Sequence, residues 1–275
     1  MRLPIALIVS LVAFCPAYAR DYKVSPLYFG PNAMPVPEMP GDMPISRLRA
    51  ELSFDFSNGF YGDVTETIMA ELNLPLFSER VSLSLWMPVV EFYTNTPESL
   101  EWQHSEKQKI HGHEIGTVYI ATNIHLLRQT HIRPDIIVRA AIVTASGDSE
   151  EYARYYDAPG YFFDATIAKS MEIGHGFFKS LQFAINGGFL CWQTGKSSQN
   201  DAYMYGIRIG LNTRLADVST AWQGYTGWQR NGDRPMVFRV EAVFRVGRFR
   251  PSAAFEHGIR DYPFDRYRVG LGYVF

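Results

Sequence analysis

The sequence predicts an all-β fold, a closed antiparallel transmembrane β-barrel of about twelve strands connected as an up-and-down meander. Three observations predict it. Apolar and polar residues alternate along most of the chain, short and long connections alternate between these segments, and 15% of the residues are aromatic at a mean hydropathy of −0.12. No helical period and no apolar run of about 20 residues follows residue 20, so any crossing of a membrane must be made by strands.

The first residues have the pattern of an export signal. Arg2 gives a positive start, residues 3–14 form an apolar run, and Ala17-Tyr18-Ala19 offers a small-x-small cleavage pattern. We therefore predict that residues 1–19 are a cleaved signal peptide and that the mature chain begins near Arg20.

Residues 20–45 form a proline-rich segment. Proline lacks the amide hydrogen and fixes φ, so this composition excludes a helix and a central strand. The prolines are Pro26, Pro31, Pro35, Pro37, Pro40 and Pro44. The segment is predicted to be extended, and two alternatives stay open for it: a periplasmic lead-in or a plug folded into the lumen.

From residue 46 the apolar residues recur with a period of two, which predicts strands with one apolar and one polar face. The first strand has Leu48, Ala50, Leu52, Phe54 and Phe56 on its apolar face. Similar segments follow at residues 68–76, 81–89, 116–126, 136–142, 163–167, 181–189, 203–211, 216–222, 236–244, 253–255 and 267–275. Residues 46–275 are therefore predicted to form the barrel, with an even number of strands, as bacterial single-chain barrels have.

The connections between these segments also alternate. Short ones fall at residues 77–80, 128–133, 172–176, 212–214 and 245–248, and long ones at 57–64, 93–113, 145–160, 192–201, 226–235 and 258–265. This matches the short periplasmic turns and long extracellular loops of outer-membrane barrels. Aromatic residues near the strand ends are predicted to form interfacial girdles: Phe54, Phe56, Tyr61, Phe92, Tyr93, Tyr161, Trp192, Tyr203, Trp222, Tyr225, Phe255, Tyr267 and Tyr273.

The last strand carries the most specific resemblance. The pattern Tyr267-x-Val269-x-Leu271-x-Tyr273-x-Phe275 resembles the C-terminal signature by which Gram-negative outer-membrane β-barrel proteins are recognised by their assembly machinery. Residues 46–275 as a whole resemble porin-like members of about twelve strands. The resemblance implies export to the cell outer membrane, with membrane lipid, lipopolysaccharide and the barrel assembly machinery as partners.

The polar faces place many charges in the lumen. The inward parity selects Arg47, Arg49, Arg139, Arg208, Arg239, Arg245, Arg250 and Arg268, together with Glu51, Asp55, Glu71, Asp135, Asp164, Asp217, Glu241 and Glu256. The residues predicted to share one side of the closed barrel, which we call the arginine wall, are Arg47, Arg49, Arg239, Arg245, Arg250 and Arg268 with Glu51, Asp55, Glu241 and Glu256. The candidates to line a solute path are Arg47, Arg49, Glu51, Arg239, Glu241, Arg250 and Arg268. The arginine wall has two interpretations: a path for anionic or sugar-acid solutes, or a ladder of salt bridges that fills the lumen.

An outer-membrane lipid hydrolase is the enzyme alternative, of the phospholipase or lipid A deacylase type. It needs a histidine base beside a serine nucleophile on the lipid-facing wall. His257 is the weak candidate base, but no Ser follows it two residues later, and Ser252 on the same strand has inward parity. The sequence departs from the His-x-Ser pattern of these enzymes, and no catalytic residue is assigned.

Two loops contain further candidates. His104, His111 and His113 are weak candidates for a metal site, because imidazoles at i and i+2 share a face of an extended chain; chance histidines in a solvated loop are the alternative. Residues 152–156, Tyr-Ala-Arg-Tyr-Tyr, could contact a sugar or a partner, or anchor in lipopolysaccharide.

The composition excludes other classes of function. The formal net charge is only −2, and no phosphate loop, redox cysteine pair or basic-aromatic stripe is present, so neither a cofactor nor nucleic acid is expected. The expected function is a porin-like passive channel for small hydrophilic solutes, with anionic solutes as the finer expectation. The alternatives are the lipid hydrolase and a closed barrel whose outer loops bind a partner or glycan.

Overall fold

The alternating segments form antiparallel strands in a computed structural model. The structure describes residues 24–40, 47–76, 78–148, 150–156, 158–174, 176–194, 201–227 and 233–275. The strands are β1 Arg49–Asn58, β2 Val64–Leu76, β3 Ser78–Thr94, β4 His111–Glu114, β5 Tyr119–Leu127, β6 Asp135–Val143, β7 Gly160–Glu172, β8 Phe178–Trp192, β9 Ala202–Thr213, β10 Ala216–Gly227, β11 Met236–Phe244, β12 Phe249–Arg260 and β13 Asp265–Val274. The predicted signal peptide at residues 1–19 lies outside the described residues.

Pairing of the first and last strands closes the sheet. β1 pairs with β2 on one side and with β13 on the other, where Leu52 lies opposite Leu271. All remaining neighbours follow the order of the chain. The short β4 pairs with the end of β3, and β5 pairs with an earlier part of β3, so β4 and β5 occupy a single barrel position. The predicted closed, twelve-stranded, antiparallel meander is confirmed.

The period of two separates an apolar outer face from a polar inner one. On β1, Leu52 is 62% exposed while Asp55 is fully buried. On β13, Val269 is 61% exposed, and Arg268 points inward to Asp55. Large exposed apolar side chains recur around the barrel, among them Phe163, Phe183, Ile185, Ile207, Trp222, Phe238 and Leu271. The outer face is therefore apolar on every side.

Three of the predicted girdle aromatics point inward instead, which corrects that prediction. Tyr93, Trp192 and Tyr225 are at most 3% exposed. Trp192 and Tyr225 have inward parity on β8 and β10. On β3 the register shifts opposite Ile68 and Met69, and this bulge turns Tyr93 inward because one extra residue reverses the alternation.

The two ends of the barrel differ in the length of the connections between strands. We call the end with the longer connections, such as the one from β3 to β5, the long-loop end. The opposite end has short turns, such as the one from β2 to β3, and we call it the short-turn end. A helix, α1 Pro97–Trp102, lies in the connection from β3 to β4 and is capped by a reciprocal pair of hydrogen bonds between Thr96 and Ser99. Short 3-10 helices lie at Phe60–Gly62 and Glu150–Tyr152. Within the described residues, no helix is both long and apolar enough to cross a membrane.

Residues 24–40, which we call the inserted segment, lie inside the barrel. Phe29, Met34 and Val36 are almost fully buried. They belong to one apolar cluster with inward side chains of several strands and loops, namely Tyr119, Ala121, Ala141, Val143, Phe162, Leu190, Trp192, Ala202, Met204, Tyr225, Val237, Tyr262 and Phe264. The core of the protein is thus formed between this segment and the barrel wall.

Candidate functional site

The backbone of the inserted segment is held by side chains of the wall. Prolines cannot donate ladder hydrogen bonds, so this chain meets the barrel mainly as an acceptor. Tyr262 Oη donates to the carbonyl oxygen of Pro31 at 2.8 Å, Tyr225 Oη to that of Met34 at 3.2 Å, and Gln223 Nε2 to that of Pro37 at 3.1 Å. The segment therefore runs from the long-loop end towards the middle of the lumen.

A buried arginine from a loop lies at the long-loop end. Arg154, in the connection from β6 to β7, is fully buried. Its Nε donates to Glu91 Oε1 at 2.9 Å, its Nη1 donates to Asp63 Oδ2 at 2.8 Å, and its Nη2 donates to Thr65. Tyr155 Oη donates to the second oxygen of Glu91 at 3.0 Å. Together these bonds tie the loop to β2, β3 and the β1–β2 connection.

Gly30 joins this loop to the inserted segment. Its amide donates to the carbonyl oxygen of Ala153 at 2.9 Å. A Cβ at residue 30 would lie 2.9 Å from both Nε and the carbonyl oxygen of Arg154. Only glycine allows the two backbones to approach this closely without displacing Arg154.

Asn32 and Arg266 link the same network to the last strand. Asn32 Nδ2 lies 2.7 Å from Glu91 Oε2 and 3.0 Å from Thr67 Oγ1. Arg266 Nη2 donates to Asn32 Oδ1 at 3.1 Å and to the carbonyl oxygen of Pro31 at 2.9 Å. Because these charges are shielded from water, each depends on its partners for the solvation that water would otherwise give.

Part of the predicted arginine wall is brought together midway along the lumen. Arg239, Glu241 and Arg268 line one cavity together with Glu38, Ala254, Glu256 and Arg266. Arg268 makes two hydrogen bonds to Asp55, from Nε at 2.7 Å and from Nη2 at 2.8 Å. Arg239 pairs with Glu256 and donates to Gln223 Oε1 at 2.7 Å. Each of the three guanidinium groups of this cavity therefore has a carboxylate of the barrel strands as its partner.

The other candidates to line a solute path lie apart from that cavity. Arg49 pairs with Glu51, which also accepts a hydrogen bond of 3.1 Å from Ser252. Arg250 Nη1 donates to the carbonyl oxygens of Gly247 and Phe249, both at 2.8 Å. Arg47 is exposed near the start of β1. The role of these residues in a solute path stays a prediction.

A cavity of about 490 Å³ opens at the short-turn end. We call it the vestibule, and it is lined by Arg128, Gln129, Asp135, Ser170, Lys179, Gln182, Asn212 and Arg245. Asp135 is engaged by His125 Nε2 at 2.7 Å and by the amide of Gln129 at 2.7 Å. Two of the cations that line the vestibule pair with further carboxylates, Arg128 with Glu79 and Arg245 with Asp217.

Among the described residues, the cross-strand neighbours of the hydrolase candidate His257 provide no nucleophile. His257 is exposed on the outer face, and its Nδ1 lies 2.6 Å from Asp265 Oδ1. Its neighbours across the sheet are Phe238 on β11 and Asp265 on β13. Neither has the hydroxyl that acyl transfer needs, and Ser252 points into the lumen towards Glu51.

The three candidate histidines in the connection from β3 to β5 contact three different residues. His111 Nδ1 is 3.1 Å from Thr94 Oγ1, the ring of His113 lies against Phe92, and the ring of His104 lies against Tyr28. Among the described residues, no group of three His, Cys, Asp or Glu side chains could hold a metal ion.

Sequence reasoning missed the residues that hold the inserted segment. The 152–156 loop was expected at the surface, but Arg154 and Tyr155 are buried in the lumen. Asp63, Glu91, Asn32 and Glu38 were not singled out at all. The parity of β3 could have found Glu91 only if the bulge had been known, and the proline-rich segment has no periodicity that shows its contacts.

Comparison with solved structures shows the fold of outer-membrane β-barrels. An outer membrane channel from Pseudomonas putida F1 matches with a TM-score of 0.64 and 10% sequence identity, over 87% of this chain and 100% of that one. The KdgM porin, solved in complex with disordered oligogalacturonate, matches with a TM-score of 0.51 and 11% identity, over 82% of this chain and 99% of that one. No protein-family model matches the sequence, and no curated protein matches it.

Proposed function

We propose that this chain is an outer-membrane channel for small hydrophilic, anionic solutes, with the long-loop end outside the cell and the short-turn end in the periplasm. The observation that carries the proposal is a closed barrel whose charged lumen opens into a vestibule lined by Arg128, Lys179 and Arg245. Fractionation of the membranes tests the location, since recovery in the inner-membrane or soluble fraction contradicts it.

The apolar outer face supports a place in the membrane. Soluble monomers rarely expose continuous apolar surface of more than a few hundred Å², whereas here Leu52, Ile207, Trp222 and Val269 are all at least half exposed. If these side chains contact lipid instead of water, the free-energy cost of exposing them is removed. We propose membrane lipid and lipopolysaccharide as partners of this face, and the assembly machinery as the partner of the outward residues Tyr267, Val269, Leu271, Tyr273 and Phe275.

The chemistry of the lumen supports anionic solutes. Arg128, Lys179 and Arg245 present cationic groups to the vestibule, and guanidinium groups bind carboxylates in a fixed geometry. The two similar structures, a channel and a porin, are consistent with transport. Oligogalacturonate, present with the porin, is a polymer of a sugar acid.

The inserted segment is proposed to be a plug that limits the flow of ions. It fills the lumen at the long-loop end, where its apolar side chains pack against the wall. A passive channel must then open by moving this segment, at least at its end near the middle of the lumen. Met39 lies at that end, packed against Ala168 and Ala184.

A disulfide that fixes Met39 to the wall tests both parts of the proposal. A Cβ at residue 206 would lie 3.3 Å from Cγ of Met39, which is compatible with a disulfide between cysteines at the two positions. The variant is Met39→Cys/Gly206→Cys in a Cys191→Ala background. In planar bilayers, we expect low conductance when oxidised and several-fold higher conductance after reduction.

The matched control is the Cys191→Ala protein, whose conductance should not respond to the reductant. If neither the unaltered protein nor the reduced variant conducts at any voltage, the channel is refuted. If both conduct and oxidation changes nothing, the barrel is a channel but the inserted segment is not its plug.

A further inference from the structure

The inserted segment contributes one carboxylate to the arginine wall. Glu38 Oε1 lies 3.2 Å from Arg268 Nη1 and 3.8 Å from Arg239 Nη2. The wall carboxylates that bind the same arginines are deeply buried, with side-chain exposures of 1% for Asp55 and 5% for Glu256. The side chain of Glu38 is 47% exposed. Glu38 is therefore much more accessible than the two wall carboxylates that bind the same arginines.

Arg268 divides its donors between the wall and the segment. Nε and Nη2 each donate a hydrogen bond to Asp55, and Nη1 donates one to Glu38. A guanidinium has five N–H donors, so it can hold a second carboxylate without releasing the first. The site on Arg268 Nη1 thus accepts a carboxylate that is not part of the wall.

The charges of the wall around this site balance without Glu38. Arg239, Arg266 and Arg268 face Asp55, Glu241 and Glu256, three cations against three carboxylates. Glu38 adds one further negative charge. When a solute carboxylate takes the place of Glu38 on Arg268 and Arg239, the charge in direct contact with these arginines stays the same, whereas an uncharged ligand could not replace Glu38 in this way.

We propose that Glu38 occupies a binding site for the carboxylate of a small solute, and that such a solute competes with Glu38 for Arg268 and Arg239. The inference rests on the proposed function and names the solute class as carboxylates. Release of Glu38 removes its ion pairs with Arg268 and Arg239 from this part of the segment, where the hydrogen bond from Gln223 to the carbonyl oxygen of Pro37 remains. The anchor at Arg154 and Gly30 remains in place at the long-loop end.

Titration calorimetry in detergent tests the competition without requiring conduction. The probe is glucuronate, and glucose is the uncharged sugar of similar size. Glu38→Gln removes the competing carboxylate, so we expect glucuronate to bind about tenfold more tightly than to the unaltered protein. Glu38→Asp should bind with an affinity between the two, and glucose should show no dependence on residue 38.

The matched control is Glu241→Gln, which removes the same charge from the same cavity without removing Glu38. We expect its effect on glucuronate affinity to be at most about threefold, because it changes only the field around the arginines. An equal increase in Glu241→Gln and Glu38→Gln contradicts the proposal, and so does the absence of glucuronate binding in every variant. Tighter binding in Glu38→Gln by a protein that never conducts supports the site and refutes the channel.

Discussion

The two ends of the lumen hold their charged groups in different ways. At the long-loop end, Arg154, Asp63 and Glu91 are almost completely buried and satisfy one another. At the short-turn end, Arg245 pairs with Asp217 at side-chain exposures of 38% and 28%, and Lys179 faces the vestibule. The long-loop end is packed around the inserted segment, and the short-turn end is open to water.

This difference in burial determines how much stability the protein loses when a charged residue at each end is substituted. Removing one member of a buried ion pair leaves a desolvated charge and costs about 3–5 kcal/mol, whereas exposed pairs contribute about 0–1 kcal/mol. The long-loop end should therefore be rigid and sensitive to substitution. The short-turn end should tolerate other residues with little loss of stability.

The largest expected effect comes from Arg154→Ala. It leaves Asp63 and Glu91 buried without their cation, so we expect the free energy of unfolding to fall by about 3–5 kcal/mol. The conductance should rise, because the loop no longer holds the inserted segment. Guanidinium unfolding in detergent and bilayer recording measure the two effects.

Arg245→Ala is the matched control for Arg154→Ala at the other end. It removes the same side chain from an exposed pair, and its effect on the free energy of unfolding should stay within about 1 kcal/mol. Equal losses in the two variants would show that the ends do not differ in the way their burial indicates.

An intermediate effect is expected from pH at the long-loop end. Burial, together with the neighbouring Asp148, raises the pKa of Glu114 from 4.5 to about 7. The folded protein therefore retains this proton where the unfolded chain has lost it. Stability should decrease as pH rises from about 4.5 to about 7, and the decrease should be smaller in Glu114→Gln.

Glu79→Gln provides the comparison for that pH experiment. Glu79 is an exposed carboxylate at the short-turn end, 3.4 Å from Arg128. At pH 7 we expect the free energy of unfolding of this variant to lie within about 1 kcal/mol of that of the unaltered protein, because exposed ion pairs contribute little to stability. A pH profile of Glu114→Gln that overlays the unaltered one would remove Glu114 as its source.

The smallest effect on stability is expected from Lys179→Glu in the vestibule. Because the side chain is exposed, the free energy of unfolding should change by less than about 0.5 kcal/mol. The reversal potential in a KCl gradient should nevertheless shift towards cations, since one cationic group of the vestibule becomes anionic. An unchanged reversal potential would exclude the vestibule from the ion path.

The strands could be predicted because the alternation of apolar and polar residues that specifies each strand lies within that strand's own sequence. On β1 and β13, the alternation of Leu52, Phe54 and Val269 with charged residues specifies both the strand and the face, whatever the neighbouring strands are. The inward position of His125, which is 1% exposed, follows from the same parity. Local periodicity was sufficient for the barrel.

The contents of the lumen could not be predicted in the same way. Asn32 meets Glu91 across 59 residues, and Tyr262 meets Pro31 across 231. No short pattern in the sequence records such pairs. The bulge in β3 adds a second difficulty, because it reverses the face on which Glu91 and Tyr93 lie.

The inserted segment also constrains the order in which the protein can assemble. It precedes every strand in synthesis, yet Arg266 and Arg268, two of its partners, belong to the strand made last. Its contacts are complete only when β13 pairs with β1. The full set of contacts that holds the segment therefore forms only once the ring has closed, so the interior is the last part of the fold to be completed.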